Sequence, residues 1–299
     1  MVVKDSIHSL SPAKINLGLS ILEKLPNNYH EVKTIYCQIS LFDKLTFLSR
    51  DNLNISLEST SANIPKNEKN LAIQAAKVIQ RQRNINKGVH IVIEKNIPIG
   101  SGLGGGSSNA AQTILAVNKL WELNLSLSEM IELAKKIGAD VAYQLVGSIN
   151  LEYQGGDRSG QFTKLPTLPP CYIVLCFPGI HISSVSAYKE FDEFVSSNSR
   201  QKNNLSKLVK ALQKRDLALI GNELFNDFEI PVFHKYSILK NLKNQMIEYG
   251  AKGALLSGKG SSVFGLFSNQ KKAQLAYKKL LTKYPQTYLT KPYEQTKDN

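Results

Sequence analysis

Pro98-Ile99-Gly100-Ser101-Gly102-Leu103-Gly104-Gly105-Gly106-Ser107-Ser108-Asn109 is the most informative stretch of this 299-residue sequence. An alternating strand pattern over residues 89–94 precedes it, and apolar residues at helical spacing follow it as far as Trp121. Five glycines therefore link a strand to a helix. Because glycine leaves the backbone N–H groups unobstructed and a helix N-terminus carries partial positive charge, the stretch predicts an anion-binding loop.

This loop differs from two common nucleotide-binding motifs. It does not end in Gly-Lys-Ser/Thr, so it is not a Walker A loop. Its glycines at 100, 102 and 105 fit G-x-G-x-x-G, but Asn118-Lys119-Leu120 stand where a ribose-binding acid is expected. A flexible turn is the alternative, which the serines and the apolar helix behind them disfavour. The hydroxyls of Ser107 and Ser108 could meet phosphate oxygens or a bound Mg²⁺.

Composition and length are those of an ordinary globular protein with two domains or one large one. Apolar residues make up 42% of the chain and charged residues 20%, which argues against a mainly disordered state. No apolar run reaches the length needed to cross a bilayer, and the N-terminus lacks a signal core, so we expect a cytoplasmic protein without a membrane partner. The cysteines Cys37, Cys171 and Cys176 form no CxxC pair, which predicts small buried residues and no zinc site.

The charge is unusual. The formal net charge is +13, of which residues 1–168 contribute +4 and residues 169–299 contribute +9. Such an excess favours polyanionic partners, which include nucleic acid, acidic membranes and phosphorylated metabolites. A solvated lysine-rich surface is the alternative, and charge alone does not decide between them.

Strand and helix patterns place the other polar groups. Residues 13–22 alternate in polarity, so Lys14 and Asn16 point together away from the apolar face. Ser126 and Glu129 predict a capping box for a helix that should stop at Gly138, which leaves Asp140 just past its end.

The order of elements predicts an α+β fold. The stretch at residues 155–170 is rich in glycine and proline, and we predict domains at 1–165 and 166–299. Helices are predicted over residues 205–218, 221–225, 237–249 and 270–283. Residues 253–267 read as a strand, a small-residue loop and a strand.

The sequence resembles the GHMP kinase superfamily over about residues 11–267. The resemblance rests on Ser11-Pro-Ala-Lys-Ile-Asn16, Tyr29-His30, the loop at 98–111, Gly138-Ala-Asp140-Val and Ser257-Gly-Lys-Gly-Ser-Ser262, in that order. It is most similar to members that phosphorylate a cytidine diphosphate ester in the non-mevalonate isoprenoid pathway. The resemblance implies a ribosomal-protein-like N-terminal domain, an α/β-sandwich C-terminal domain and an active site in the cleft between them.

The resemblance also implies ligands and roles. It implies ATP with Mg²⁺, a small-molecule substrate, no nucleic acid, and a monomer or homodimer. Asp140 would be the catalytic base and Lys14 would stabilise negative charge beside it, as phosphoryl transfer requires. Substrate-binding residues would be Asn16, Tyr29, His30 and Tyr188, with Tyr29 and Tyr188 stacking on the two faces of the cytosine. The implied ATP loop is Pro98, Ile99, Gly100, Ser101, Gly102, Leu103, Gly104, Gly105, Gly106, Ser107 and Ser108. The implied second glycine loop is Ser257, Gly258, Lys259, Gly260 and Ser261; no metal ligand is assigned beyond Ser107 or Ser108.

Three positions depart from the family pattern. Asn28 replaces a glycine before Tyr29, and asparagine tolerates the left-handed backbone that the turn needs. Ala142 replaces a common proline, and Lys259 replaces a small residue, where it would contact phosphate or crowd the loop. The alternatives are a homoserine- or mevalonate-type kinase, a basic RNA-binding protein, and an inactive kinase that only binds ligands.

Overall fold

A computed structural model describes residues 6–155, 160–197 and 205–294. In chain order the elements are β1 (Ser6–Lys24), β2 (His30–Arg50), β3 (Ile55–Ser59), α1 (Leu71–Gln82), β4 (Gly88–Glu94), α2 (Gly105–Leu120), α3 (Leu127–Lys135), α4 (Ala139–Val146), β5 (Ile149–Gln154), β6 (Gln161–Lys164), β7 (Tyr172–Cys176), α5 (Ser184–Ser197), α6 (Ser206–Lys214), α7 (Leu217–Asn222), β8 (Phe225–Asn226), α8 (Glu229–Lys235), α9 (Ser237–Glu248), β9 (Gly253–Leu256), β10 (Val263–Phe267), α10 (Gln270–Leu281) and β11 (Thr287–Thr290). The α+β prediction is confirmed. Within the described ranges, no helix combines the length and the apolar character that a membrane span requires.

The chain divides into two compact units that are not contiguous in sequence. Of the described residues, the first contains 6–13, Leu41–Ile99 and Gly104–Gly147, and the second contains Lys14–Ser40, Gly100–Leu103 and those from Ser148 onward. β1, β2 and the glycine loop each contribute residues to both units. The predicted division at residue 165 stays a prediction, and four residues of its predicted linker, 156–159, lie outside the described ranges.

The first unit packs helices on a small sheet. β4 pairs with β3 in parallel and with the second half of β2 antiparallel, with Phe47 opposite Ile91. Helix α2 packs against α1 and α4. The predicted capping box at Ser126 and Glu129 is present at the start of α3, where the hydrogen bonds of Ser126 lower the pKa of the Glu129 carboxyl.

The second unit contains two sheet regions. The first half of β2 pairs antiparallel with β5, and β1 pairs in parallel with β8. A separate four-stranded antiparallel sheet has the order β11-β7-β10-β9, and α9 and α10 pack against it. The three cysteines are free and buried as predicted, and burial raises the pKa of the Cys171 and Cys176 thiols to about 12.

Local structure differs from the sequence patterns in three places. The sequence shows two separate strand patterns, at residues 33–40 and 44–48, but the structure joins both into one long strand, β2. Residues 221–225 do not form a helix: α7 ends at Asn222, and Phe225 begins β8. Gly138 does not end α3 in the left-handed backbone conformation, because its φ is 172°. It precedes α4 instead, and Asp140 lies in the first turn of that helix. A carboxylate is favoured there because it meets the positive end of the helix dipole.

Candidate active site

The glycine loop opens α2 as the sequence predicts. Gly104 is the residue before the helix, and its φ of 67° lies in the left-handed region that favours glycine. No side chain caps this end of α2, so its first N–H groups lack the usual side-chain acceptor. The Oγ atom of Ser108 is buried and has no hydrogen-bond partner among the described residues. Free donors and a buried hydroxyl at one helix end fit an anionic ligand such as a phosphate.

A buried ion pair supports this helix start within the first unit. Lys95 Nζ lies 2.6 Å from Asp43 Oδ2, and the side chains are 7% and 0% exposed. Asp43 also accepts the backbone N–H groups of Asn96 and Ile97, just before the loop. A Cβ on Gly105 would lie 3.0 Å from Lys95 Nζ, so glycine lets α2 begin directly beside this pair. Burial, only partly offset by Asp43, lowers the pKa of Lys95.

In the second unit, residues 100–103 meet the second glycine loop through their backbones. Gly102 has a φ of 82°, and a Cβ on it would approach the Ser257 carbonyl oxygen to 2.4 Å. Ser262 N donates to Ser101 O at 3.2 Å, and Lys14 N donates to Leu103 O at 2.9 Å. The two small-residue loops and the first strand therefore converge on one place, which the sequence order alone did not establish.

Lys14 and Asn16 project side by side from β1, as the alternation predicts. Lys14 Nζ donates to Asn16 Oδ1 at 2.9 Å, and the residues are 5% and 1% exposed. A Cβ on Gly258 would lie 3.6 Å from Lys14 Nζ, so the second glycine loop passes close to the ammonium. Lys14 Nζ also lies 5.1 Å from the centre of the Tyr36 ring, which is cation–π geometry.

A hydroxyl chain fixes the orientation of Asn16. Thr34 Oγ1 donates its proton to Gly18 O at 2.8 Å, so it acts as an acceptor toward Asn16 Nδ2 at 2.8 Å. The carbonyl end of the Asn16 amide must then face Lys14. Thr34 is fully buried, and sequence reasoning missed it because threonine is common in strands.

His30 contacts two residues of helix α5, Tyr188 and Asp192. Its ring stacks on the Tyr188 ring with centroids 4.7 Å apart and planes 8° apart. His30 Nε2 lies 2.7 Å from Asp192 Oδ1, and Lys24 Nζ lies 2.7 Å from Asp192 Oδ2. Partial burial acts to raise the pKa of Asp192, but hydrogen bonds from Lys24 and His30 outweigh it and lower the pKa below its usual value. Sequence reasoning found His30 and Tyr188 but missed Asp192 and Lys24.

Tyr29 lies at the tip of a turn and is 73% exposed. The turn closes through Asn28 N to Leu25 O at 2.9 Å, and Asn28 has a φ of 62°. The expectation that asparagine preserves this left-handed turn is confirmed. The structure stacks Tyr188 on His30, and it leaves Tyr29 in solvent.

Asp140 lies in the first unit, in the first turn of α4, and is partly exposed. Ala142 is buried in the same helix and is helical without strain. Lys259 Nζ contacts Ser184 Oγ at 2.7 Å, at the start of α5. Asn226 holds the second glycine loop by donating to Leu256 O and Gly258 O, a contact that no sequence pattern indicated.

Among the residues that the structure describes, no three or more His, Cys, Asp or Glu side chains cluster as a metal site would require. Mg²⁺ at a phosphate-binding site commonly takes one or two carboxylates, phosphate oxygens and water, so such a cluster is not needed for it. The donors at α2 and the Ser108 hydroxyl therefore fit a nucleotide phosphate better than a protein-only metal cage.

Comparison with known proteins places this geometry in a family. The GHMP kinases N terminal domain matches residues 70–148, and the GHMP kinases C terminal domain matches residues 208–286. The 4-diphosphocytidyl-2-C-methyl-D-erythritol kinase of Chlorobium chlorochromatii is 40% identical over 93% of this chain and 93% of its own. The enzyme of that name from Alkaliphilus metalliredigens is 34% identical over 96% and 97%.

The chain belongs to the 4-diphosphocytidyl-2-C-methyl-D-erythritol kinase family. It is therefore a GHMP kinase, and GHMP kinases use ATP. A crystal structure of 4-(cytidine 5'-diphospho)-2C-methyl-D-erythritol kinase is 30% identical, with a TM-score of 0.79 over 96% of this chain and 100% of that one. A mevalonate kinase of L. major has a TM-score of 0.77 at 18% identity over 98% of each chain, which shows a shared fold. The predicted GHMP kinase fold and family are confirmed.

Proposed function

We propose that this protein transfers the γ-phosphate of ATP to the 2-hydroxyl of 4-diphosphocytidyl-2-C-methyl-D-erythritol, giving the 2-phosphate and ADP. This is a step of the non-mevalonate route to isoprenoid precursors. The observation that carries the proposal is the match over nearly the whole chain to relatives with that name. The buried Lys14–Asn16 pair and the uncapped glycine loop support it independently, because a kinase needs both a charge-stabilising cation and a phosphate cradle.

The nucleotide phosphates bind the first glycine loop, Pro98 to Ser108. The N–H groups at the start of α2 donate to phosphate oxygens, and Ser108 Oγ gains the partner that it lacks among the described residues. Mg²⁺ accompanies ATP, with Ser107 or Ser108 as its candidate protein contact; when bound, it neutralises phosphate charge. The second loop, residues 257–261, keeps the first loop close to Lys14 through Ser257 and Gly102.

Asp140 accepts the proton of the substrate hydroxyl, and Lys14 stabilises the negative charge that develops on the attacking oxygen. The buried position of Lys14 strengthens that stabilisation, because fewer water molecules screen an ammonium that is 5% exposed. Asn16 and Thr34 hold the ammonium in one place, so the charge is already oriented before the reaction starts.

Asn16, His30, Tyr29 and Tyr188 bind the substrate. Tyr29 closes over one face of the cytosine, and Tyr188 lies parallel to the other; stacking of this kind contributes ~1–3 kcal/mol per base. The exposed position of Tyr29 suits a residue that moves onto its ligand. The ligands are ATP and the cytidine diphosphate ester, and we expect no nucleic acid or membrane partner. We expect the protein to act in the cytoplasm as a monomer or homodimer.

A substrate panel tests the proposal. Purified protein with ATP and Mg²⁺ is offered the cytidyl substrate, mevalonate and homoserine, and ADP formation is measured. We expect turnover of the cytidyl compound alone, and a loss of about 10²–10⁴-fold in kcat for Asp140→Asn and for Lys14→Met. Turnover of mevalonate or homoserine but not of the cytidyl compound would contradict the substrate. Near-normal turnover by either variant would contradict the assigned roles.

A further inference from the structure

Two residues on one helix restrain the His30 ring. Tyr188 and Asp192 are four positions apart on α5 and therefore lie on the same face of that helix. The stack with Tyr188 sets the plane of the imidazole, and the contact of Nε2 with Asp192 sets its rotation within that plane. The His30 side chain is 5% exposed. Its remaining ring nitrogen, Nδ1, has no hydrogen-bond partner among the described residues.

The chemistry of Asp192 fixes the donor of that contact. An ionised carboxylate only accepts hydrogen bonds, so Nε2 must carry the proton that Asp192 receives. Lys24 donates to the second carboxylate oxygen and keeps the carboxylate ionised. A neutral imidazole protonated on Nε2 presents Nδ1 as an acceptor. The Asp192–Lys24 pair therefore sets the tautomer of His30 in its neutral form.

We propose that Asp192 is a specificity-determining residue that makes His30 Nδ1 accept a hydrogen bond from the exocyclic amino group of cytosine. This inference rests on the proposed function, in which His30 binds the substrate base. Cytosine carries an amino group at position 4, which donates, and uracil carries an oxo group there, which accepts. An acceptor at Nδ1 can bond to the amino group of cytosine. With uracil it would face the oxo group, so that two acceptors would oppose each other.

The geometry of the stack agrees with this pairing. A base that bonds edge to edge with His30 lies in the imidazole plane. Since that plane is within 8° of the Tyr188 ring, the same base also lies parallel to Tyr188. A base bonded in this way therefore has the orientation that stacking on Tyr188 requires.

Asp192→Asn gives a sharp test because Lys24 is beside it. The Lys24 ammonium only donates, so it attracts the oxygen of the new amide and turns the NH₂ group toward His30. His30 Nε2 then has to accept, which moves the imidazole proton to Nδ1. In this variant His30 Nδ1 is therefore a hydrogen-bond donor toward the base, where in the wild type it is an acceptor.

The experiment measures the affinities of CDP and UDP for the full chain by calorimetry, and kcat and KM with the cytidyl substrate and its uridine counterpart. We expect the wild type to prefer the cytidine ligands by roughly tenfold or more, the scale of one unsatisfied buried hydrogen bond. Asp192→Asn should reverse the preference, with the change in KM rather than in kcat. Asp192→Ala should reduce it toward unity.

Glu193→Gln is the matched control, since it removes the neighbouring carboxylate on α5, which pairs with Lys189. It should keep the wild-type preference. A wild type that favours the uridine ligands, or an Asp192→Asn protein with unchanged preference, would overturn the inference. A wild type that phosphorylates neither nucleotide ester and binds neither CDP nor UDP would instead overturn the proposed function, so the two failures are distinguishable.

Discussion

At the scale of single residues, the candidate site is organised by polar side chains, and the partners of several of them are distant in sequence. Lys14 and Asn16 were predictable because strand alternation places them on one face. Thr34 and Asp192 were not predictable, because a threonine in a strand and an aspartate on a helix surface are ordinary in any sequence. Only the fold shows that Thr34 lies 2.8 Å from Asn16 and that Asp192 lies 2.7 Å from His30.

Thr34→Val should reduce catalysis through Asn16. The change keeps the shape of the side chain but removes the acceptor for Asn16 Nδ2, which leaves a buried NH₂ group unpaired at a cost of about 1–3 kcal/mol. The amide is then free to turn and to present its NH₂ group to Lys14. We expect kcat to fall by roughly 5- to 100-fold.

Thr34→Ser is the matched control for that variant, because serine retains the hydroxyl and should recover most of the activity. Steady-state kinetics with a urea unfolding curve for each protein separates the two effects. Equal activity of the valine and serine variants would contradict the role assigned to Thr34.

At the scale of elements, the strand–loop–helix unit around residues 98–109 was readable from sequence because glycine spacing and helical periodicity are both local. Helix α4 was not, because Gly138 is equally suited to ending α3 and to starting the next helix. The structure separates them: α3 ends at Lys135, and Gly138 N still bonds to Ala134 O before α4 begins. A boundary between two consecutive short helices depends on packing that a single sequence does not report.

Gly102→Ala should disrupt the contact between the two glycine loops. The new Cβ would lie 2.4 Å from the Ser257 carbonyl oxygen, and the φ of 82° is unfavourable for alanine. We expect a lower free energy of unfolding, by about 1–3 kcal/mol, together with a higher KM for ATP.

Gly106→Ala provides the comparison for stability. Gly106 lies inside α2, where the nearest atom to a new Cβ would be Leu71 Cδ1 at 3.8 Å, and alanine favours a helix. This variant should be at least as stable as the wild type in urea. If Gly102→Ala unfolds at the same urea concentration as Gly106→Ala, the prediction that position 102 needs glycine for the close approach of the two loops is contradicted.

At the scale of the whole molecule, length indicated two domains or one large one, and the chain forms two compact units. β1, β2 and the glycine loop each contribute residues to both units, which a search for one linker could not reveal. The charge also has a partial explanation. ATP and the proposed cytidine diphosphate ester are polyanions, but the lysines of α10 are mostly exposed and lie on a helix without an acidic residue.

Charge reversal on α10 tests whether that basic surface takes part in catalysis. Lys271 and Lys278 are exposed, and replacing both by glutamate removes four units from the net charge of +13. We expect an unchanged kcat at physiological ionic strength, where charges farther apart than about 8 Å are largely screened. A modest fall in kcat/KM at low salt would reflect long-range steering. A large loss of kcat would show that α10 contributes directly to the reaction.

The most direct test of the central claim follows where the phosphate goes. Purified protein, ATP, Mg²⁺ and 4-diphosphocytidyl-2-C-methyl-D-erythritol are followed by ³¹P nuclear magnetic resonance. The account predicts ADP together with one new phosphomonoester resonance on the substrate, with its diphosphate signals retained, and almost no product with Asp140→Asn. Release of free inorganic phosphate, or no consumption of ATP by a folded wild-type protein, would contradict it.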